Sequence, residues 1–228
     1  MRRWRASCAT GGCGGWRRPS PPAQRERPGV SPRSHGGAGR VIAGTARGIA
    51  LRAPAAGTRP LGDRVKQTLF AILERELRGR RFLDLFAGSG AGGIEALSRG
   101  AAAAIFVERD RDAIAVIEHN LAATHLEDRG WVVRADALGW LEREGHTAGP
   151  FAAILVDPPY DRPDELTRAL QRIANAGRGA ILEPDGVIVA KHFWKSSAPE
   201  VPLLRSVRQE RFGETMLTFQ RWADEEDG

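Results

Sequence analysis

Apolar residues in this chain come in short runs separated by amphipathic stretches, and the alternation begins near residue 40. Arg40–Gly44 and Gly48–Arg52 read as two short strands around a turn. After a Pro/Gly stretch through Pro60, Asp63 is placed to cap a helix. Val65, Leu69, Ile72, Leu73 and Leu77 share one face of that helix, and Gly79 ends it. From residue 82 the period switches repeatedly between 2 and 3.6. Strands are predicted at 82–86, 103–107, 131–133, 152–156 and 186–190, and helices at 92–99, 112–123, 138–143 and 163–176. Leu204–Phe212 and Glu214–Trp222 then form an antiparallel hairpin turning at Gly213. Strands separated by helices of this length make a parallel, doubly wound sheet, and a closing antiparallel pair extends its edge. The predicted fold is therefore α/β, with a mostly parallel seven-stranded sheet preceded by a small hairpin and a helix.

Composition narrows the setting. The 228 residues suit one domain, and 42% hydrophobic content supports a full core. No apolar run approaches the roughly 18–20 residues of a membrane span. Cys8 and Cys13 both lie in the first 40 residues, so the body is expected to hold no disulfide and no cysteine metal site, as in a reducing, cytoplasmic setting. His35, His119, His125 and His146 have no ligand spacing, and no metal is expected. The net charge of +6 is unevenly placed: residues 1–40 carry nine Arg and one Glu, which leaves −2 for the rest. Residues 1–39, rich in Arg, Gly and Pro, are expected to be a disordered tail without the apolar core of a secretory signal. Two readings of that tail stay open, a dispensable extension and an electrostatic tether for RNA. The domain is expected to span 40–222, with 40–80 leading into a core at 81–222, and 223–228 as an acidic tail.

Chemistry concentrates at strand ends. The buried run Ala152–Val156 ends in Asp157-Pro158-Pro159-Tyr160. Two prolines stiffen the backbone and lack N–H groups, so their carbonyls are left to face a ligand. Beside them stand a carboxylate and an aromatic ring. This set suits a planar group bearing an NH2: Asp157 and a proline carbonyl accept its hydrogens while Tyr160 stacks on its face. Upstream, Gly88, Gly90 and Gly93 satisfy G-x-G-x-x-G between a strand and a helix, and Glu108 ends the next strand. That pattern also fits a nicotinamide dinucleotide site. Asp84 before the loop and Asp136 after the third strand change the picture. Three acids at successive strand ends repel a pyrophosphate and suit a ligand with positive sulfonium and amino groups.

Asp84-Leu-Phe-Ala-Gly-Ser-Gly, Glu108 and Asp157-Pro-Pro-Tyr, in this order, resemble a class I methyltransferase with a Rossmann-like fold that acts on an exocyclic amine. Arg40-Val-Ile-Ala-Gly-Thr-Ala-Arg-Gly, Arg59-Pro-Leu-Gly-Asp-Arg-Val-Lys-Gln-Thr-Leu-Phe and Gly93-Ile-Glu-Ala-Leu-Ser-Arg-Gly-Ala are similar to segments of the bacterial 16S ribosomal RNA guanine-N2 methyltransferases. The resemblance implies S-adenosylmethionine as cofactor and 16S rRNA as partner, in a monomer. It implies catalytic roles for Asp157, Pro158, Pro159 and Tyr160. Cofactor contacts fall on Asp84, Phe86, Gly88, Ser89, Gly90, Glu108, Arg109, Asp136 and Ala137. RNA contacts fall on Arg59, Asp63, Arg64 and Lys66. One departure stands out: the family usually carries two Thr where this chain has Leu61-Gly62. His192 and Trp194 could line an RNA entrance or be satisfied loop residues. Two other functions fit less of the sequence: a DNA adenine-N6 methyltransferase, which usually carries an added recognition domain, and a non-catalytic RNA-binding assembly factor on the same fold.

Overall fold

The structure, a computed structural model, describes residues 37–54 and 61–224. The expected N-terminal tail up to residue 36, Arg59 and the last four acidic-tail positions lie outside the described residues. In chain order, β1 (Gly37–Arg40) and β2 (Ala50–Arg52) pair antiparallel, and α1 (Asp63–Leu77) follows. Then come β3 (Arg81–Leu85), α2 (Ala91–Ser98), β4 (Ala103–Glu108), α3 (Arg111–Ala123) and β5 (Gly130–Arg134). Next is α4 (Ala137–Trp140), which runs through a π-helical turn at Leu141–Gly145 into α5 (His146–Ala148). The chain closes with β6 (Phe151–Val156), α6 (Pro163–Asn175), β7 (Leu182–Phe193), β8 (Leu204–Phe212) and β9 (Thr215–Trp222).

Seven strands form one sheet in the order β5-β4-β3-β6-β7-β9-β8. The first five run parallel; β9 joins β7 antiparallel, and β8 pairs with β9 at the edge. Strand order reverses between β3 and β6, and this is the switch point at which an open α/β sheet binds ligands. Each sheet face is covered. On one side Leu69, Phe70, Leu73, Ile94, Leu97 and Ile117 of α1–α3 pack on Phe82, Phe106 and Leu155. On the other, Trp140, Leu166, Leu170 and Ile173 pack on Leu83, Leu85, Ile154 and Val156. Asp84 sits between Leu83 and Leu85, so the pleat turns it to the α2 side.

Three elements differ from the sequence expectation. The hairpin pairs Gly37–Arg40 with Ala50–Arg52, so Val41 to Ile49 form its loop rather than strand. Asp63 is the first residue of α1 and Gly62 its N-cap, without a side-chain capping bond; the Asp63 carboxylate turns to Arg40 and Lys66 instead. β7 is 12 residues long, because Leu182 already pairs with Phe151 before a register shift.

The hairpin docks through buried polar groups. Glu95 of α2, fully buried, accepts from Ile42 N (2.8 Å), Ala43 N (3.1 Å) and Arg99 Nε (2.7 Å). Ser98 Oγ donates to Ala43 O and accepts from Ala46 N. Gly44, at φ 87°, lies so near Ser98 that a Cβ would come 1.9 Å from its carbonyl oxygen. Asn120 of α3 bridges the Arg52 backbone to the Ser89 carbonyl, which ties the hairpin to the glycine loop. Two of the three segments that resemble family signatures, 40–48 and 93–101, thus face one another.

Candidate active site

The carboxyl ends of β3, β4, β5 and β6 surround a cavity of about 580 Å³. The loop leaving β3 makes its floor. Phe86, Gly88 and Gly90 all have positive φ (60°, 54° and 75°). Phe86 alone among the three has a side chain, and such strain gathers at ligand sites. The later glycines serve close approach: a Cβ at Gly92 would sit 2.7 Å from Leu155 Cδ2, and one at Gly93 2.3 Å from Phe106 Cε1. Gly88, Ser89, Ala91 and Gly92 line the cavity, and Gly90 turns the chain behind it.

Three acids border this space. Asp84 is 2% exposed and accepts from Gly93 N at 2.7 Å. Burial pushes its carboxyl up to about 8; the Gly93 bond opposes this, and the nearby charges of Asp157 and Glu108 add to it. Glu108 takes Arg109 N and Asp110 N on Oε1 and Gly88 N on Oε2, so it pins the glycine loop to the tip of β4. Asp136 accepts from Gly139 N through Oδ1 and caps α4. Arg109 and Ala137 complete that wall. Leu61, where the family usually has a hydroxyl, is buried and also lines the cavity, presenting methyl groups.

The tetrapeptide follows β6. Pro159 O accepts from Arg162 N, whereas among the described residues the Pro158 carbonyl accepts from no donor. The Tyr160 hydroxyl meets Thr215 Oγ1 at 3.0 Å. Past Pro158–Tyr160 lies a second cavity of about 380 Å³, walled by His192, Phe193 and the 196–200 loop.

Sequence reasoning missed Lys191. Its Nζ donates to Asp157 Oδ1 at 2.6 Å and lies 5.0 Å from the centre of the Tyr160 ring. Burial disfavours the Lys191 charge, but Asp157 outweighs it and the ammonium is held above its usual range. Burial raises the Asp157 carboxyl, and Lys191 acts against that. The signal lay in register: Val156 pairs with Ala190, so the next residue of each parallel strand falls side by side.

The residues assigned to RNA do not form one group. Arg64 is exposed on α1, and the Asp63 side chain, 42% exposed, pairs with Arg40 and Lys66. Lys66 corrects the expectation. It is fully buried, with Nζ on Arg40 O and Asp63, and so fastens the hairpin to α1 rather than facing solvent. His192 is buried, with both ring nitrogens within bonding distance of Thr218 Oγ1 and Phe193 O. Trp194 lies under the Arg211 guanidinium, 3.6 Å from its ring centre. Among the described residues no cluster of acids, His or Cys could hold a metal, and no helix is long and apolar enough to cross a membrane.

Comparison with known proteins places this geometry. The sequence model of a family described as "Conserved hypothetical protein 95" matches residues 39–221. A Bacillus subtilis protein named "Putative rRNA methyltransferase YlbH" is 40% identical over 80% of this chain and 98% of its own length. The Escherichia coli (strain K12) "Ribosomal RNA small subunit methyltransferase D" is 35% identical over 78% of this chain and 87% of its own. A solved structure titled "Putative methyltransferase yhhF from Escherichia coli" superposes with a TM-score of 0.71 at 32% identity, covering 81% of this chain and 98% of that one.

Proposed function

The chain belongs to the family described as Conserved hypothetical protein 95, alongside the ribosomal RNA small subunit methyltransferase D proteins, and from that premise we propose that it transfers a methyl group from S-adenosylmethionine to the exocyclic N2 of a guanine in 16S rRNA. The sheet order is that of a class I methyltransferase, and a cavity lies at its switch point.

The residues present fit the cofactor. Asp84 is a buried carboxylate at the cavity floor, and a strained glycine loop leaves room above it. Asp84 would take a positive amino group, and the acidic wall of Glu108 and Asp136 favours a cationic ligand over a pyrophosphate. Bound S-adenosylmethionine supplies an electrophilic methyl group. What the protein must supply is a nucleophile, and an aryl amine is a poor one because its lone pair is delocalised into the ring. Asp157 and the Pro158 carbonyl accept the two amine hydrogens. They hold the nitrogen with its lone pair turned out of the ring and offset the positive charge that develops on it. The proton shed after transfer can pass to Asp157 or to water. Tyr160 stacks on the guanine, which must leave its helix or loop to reach the site. The cavity behind Pro158–Tyr160 gives that base a place beside the tetrapeptide.

The observation that carries this reading is the junction itself: the Asp157 carboxyl group and a Pro158 carbonyl that accepts from no donor among the described residues stand between two cavities, with the Tyr160 ring beside them. The test uses tritiated S-adenosylmethionine with 16S rRNA, small subunits, DNA and protein as acceptors, and identifies the methylated nucleoside by mass spectrometry. N2-methylguanosine in 16S rRNA is expected. In Asp157→Ala, transfer should vanish while S-adenosylmethionine still binds; wild-type turnover in that variant would sink the assignment. Label in DNA adenine alone would favour the DNA reading, and no label in any acceptor the non-catalytic one.

A further inference from the structure

Lys191 is the one described lysine that touches the reacting tetrapeptide. It is 6% exposed and borders both cavities. A buried lysine carries a desolvation cost, so it persists where a partner compensates it. Here the partner is Asp157, whose Oδ1 it takes at 2.6 Å, while Oδ2 takes no hydrogen bond among the described residues. The same ammonium lies over one face of the Tyr160 ring, which is 37% exposed.

We propose that Lys191 is a positioning residue for methyl transfer: it pins Asp157 through one oxygen, keeps it a carboxylate so that the other can accept the substrate amine, and braces the face of Tyr160 opposite the incoming base. This rests on the methyltransferase reading above. The need is chemical. A protonated Asp157 would present an O–H donor toward an NH2 group and could not accept from it. Burial pushes it that way. Asp84 and Glu108 are acidic neighbours on the cofactor side, and Asp161 lies at the cavity rim. From the far cavity, Glu200 adds another carboxylate. His192 turns to Thr218, Glu165 pairs with Arg162, and β9 offers only the neutral Thr215. Lys191 is therefore the cation that compensates Asp157.

Lys191→Met keeps the length of the apolar stem and removes the charge; Lys191→Arg restores a cation. The Asp157 carboxyl is followed by 13C NMR across pH in the full chain without substrate, with Asp157→Asn to assign the signal. Methyl transfer is measured across the same pH range. In Lys191→Met the Asp157 midpoint should rise by about 1–3 pH units, the acid limb of kcat/KM should move with it, and Lys191→Arg should bring both back. An unchanged Asp157 titration in Lys191→Met, or a loss of transfer equal at every pH, overturns the proposal. If the wild-type protein methylates no RNA, the guanine reading fails, yet the NMR titration still decides the role of Lys191.

Discussion

With Asp84 as the proposed partner of the cofactor's amino group, cofactor affinity should depend on pH in a calculable way. Its carboxyl is pushed up to about 8 in the free protein, chiefly by burial. A ligand that brings a positive amino group needs the ionised form, so binding must expel the proton. Affinity then weakens by the factor 1 + 10^(pKa − pH), which gives a dissociation constant about 30-fold weaker at pH 5.5 than at pH 7. The window stops at pH 7 because the ligand's own α-amino group titrates near 7.7–8.0. Isothermal titration calorimetry at pH 6.5, in two buffers of different ionisation enthalpy, should report release of about one proton per S-adenosylmethionine bound. Asp84→Asn should bind weakly and show neither the slope nor the proton. The free protein has a linked signature. The folded-state pKa lies above the unfolded value near 3.9, so the contribution of Asp84 to stability is greatest at low pH and declines as pH rises from about 4 towards about 8. A wild-type dissociation constant that changes less than about threefold between pH 5.5 and pH 7, or the same slope in Asp84→Asn, would refute the reasoning.

Other outcomes follow from packing and hydrogen bonding. Glu95→Ala strands two backbone N–H groups and the Arg99 guanidinium in a buried site, and should cost about 3–5 kcal/mol. At about 2–4 °C per kcal/mol for a chain of this size, the melting temperature should drop by about 6–20 °C; a loss under about 1 kcal/mol would contradict the docking role. Gly93→Ala drives a methyl group into Phe106 and should destabilise by about 1–3 kcal/mol in chemical denaturation, besides weakening cofactor binding by calorimetry. Tyr160→Ala should lower kcat/KM for RNA by about 10- to 100-fold through lost stacking. Tyr160→Phe, which keeps the ring but loses the hydroxyl's bonds to Thr215 and Lys191, should stay within a few-fold of wild type; equal loss in both variants would remove the stacking role.

Much of this protein is written locally. Hydrophobic period fixed the order of strands and helices from residue 81 onward, and β8 was delimited to the residue, because periods of 2 and 3.6 need only near neighbours. The glycine loop and the Asp157–Tyr160 tetrapeptide were legible for a related reason: each is a continuous segment whose chemistry survives without its surroundings. The first strand of the N-terminal hairpin was placed late and the second was begun early, since both are short and the loop between them is held by Glu95 and Ser98, some fifty residues away. Lys66 was expected to reach RNA from its helix, and only the hairpin packed across it makes it buried. Lys191 lay just past the predicted strand at 186–190 with no role assigned to it, and only β6 and β7 side by side bring it to Asp157. Sequence alone determined which elements form from residue 81 onward and which segments carry reactive groups. Tertiary structure decided which charges meet, because a buried charge is tolerable only beside its partner, and that partner is chosen by strand order and register.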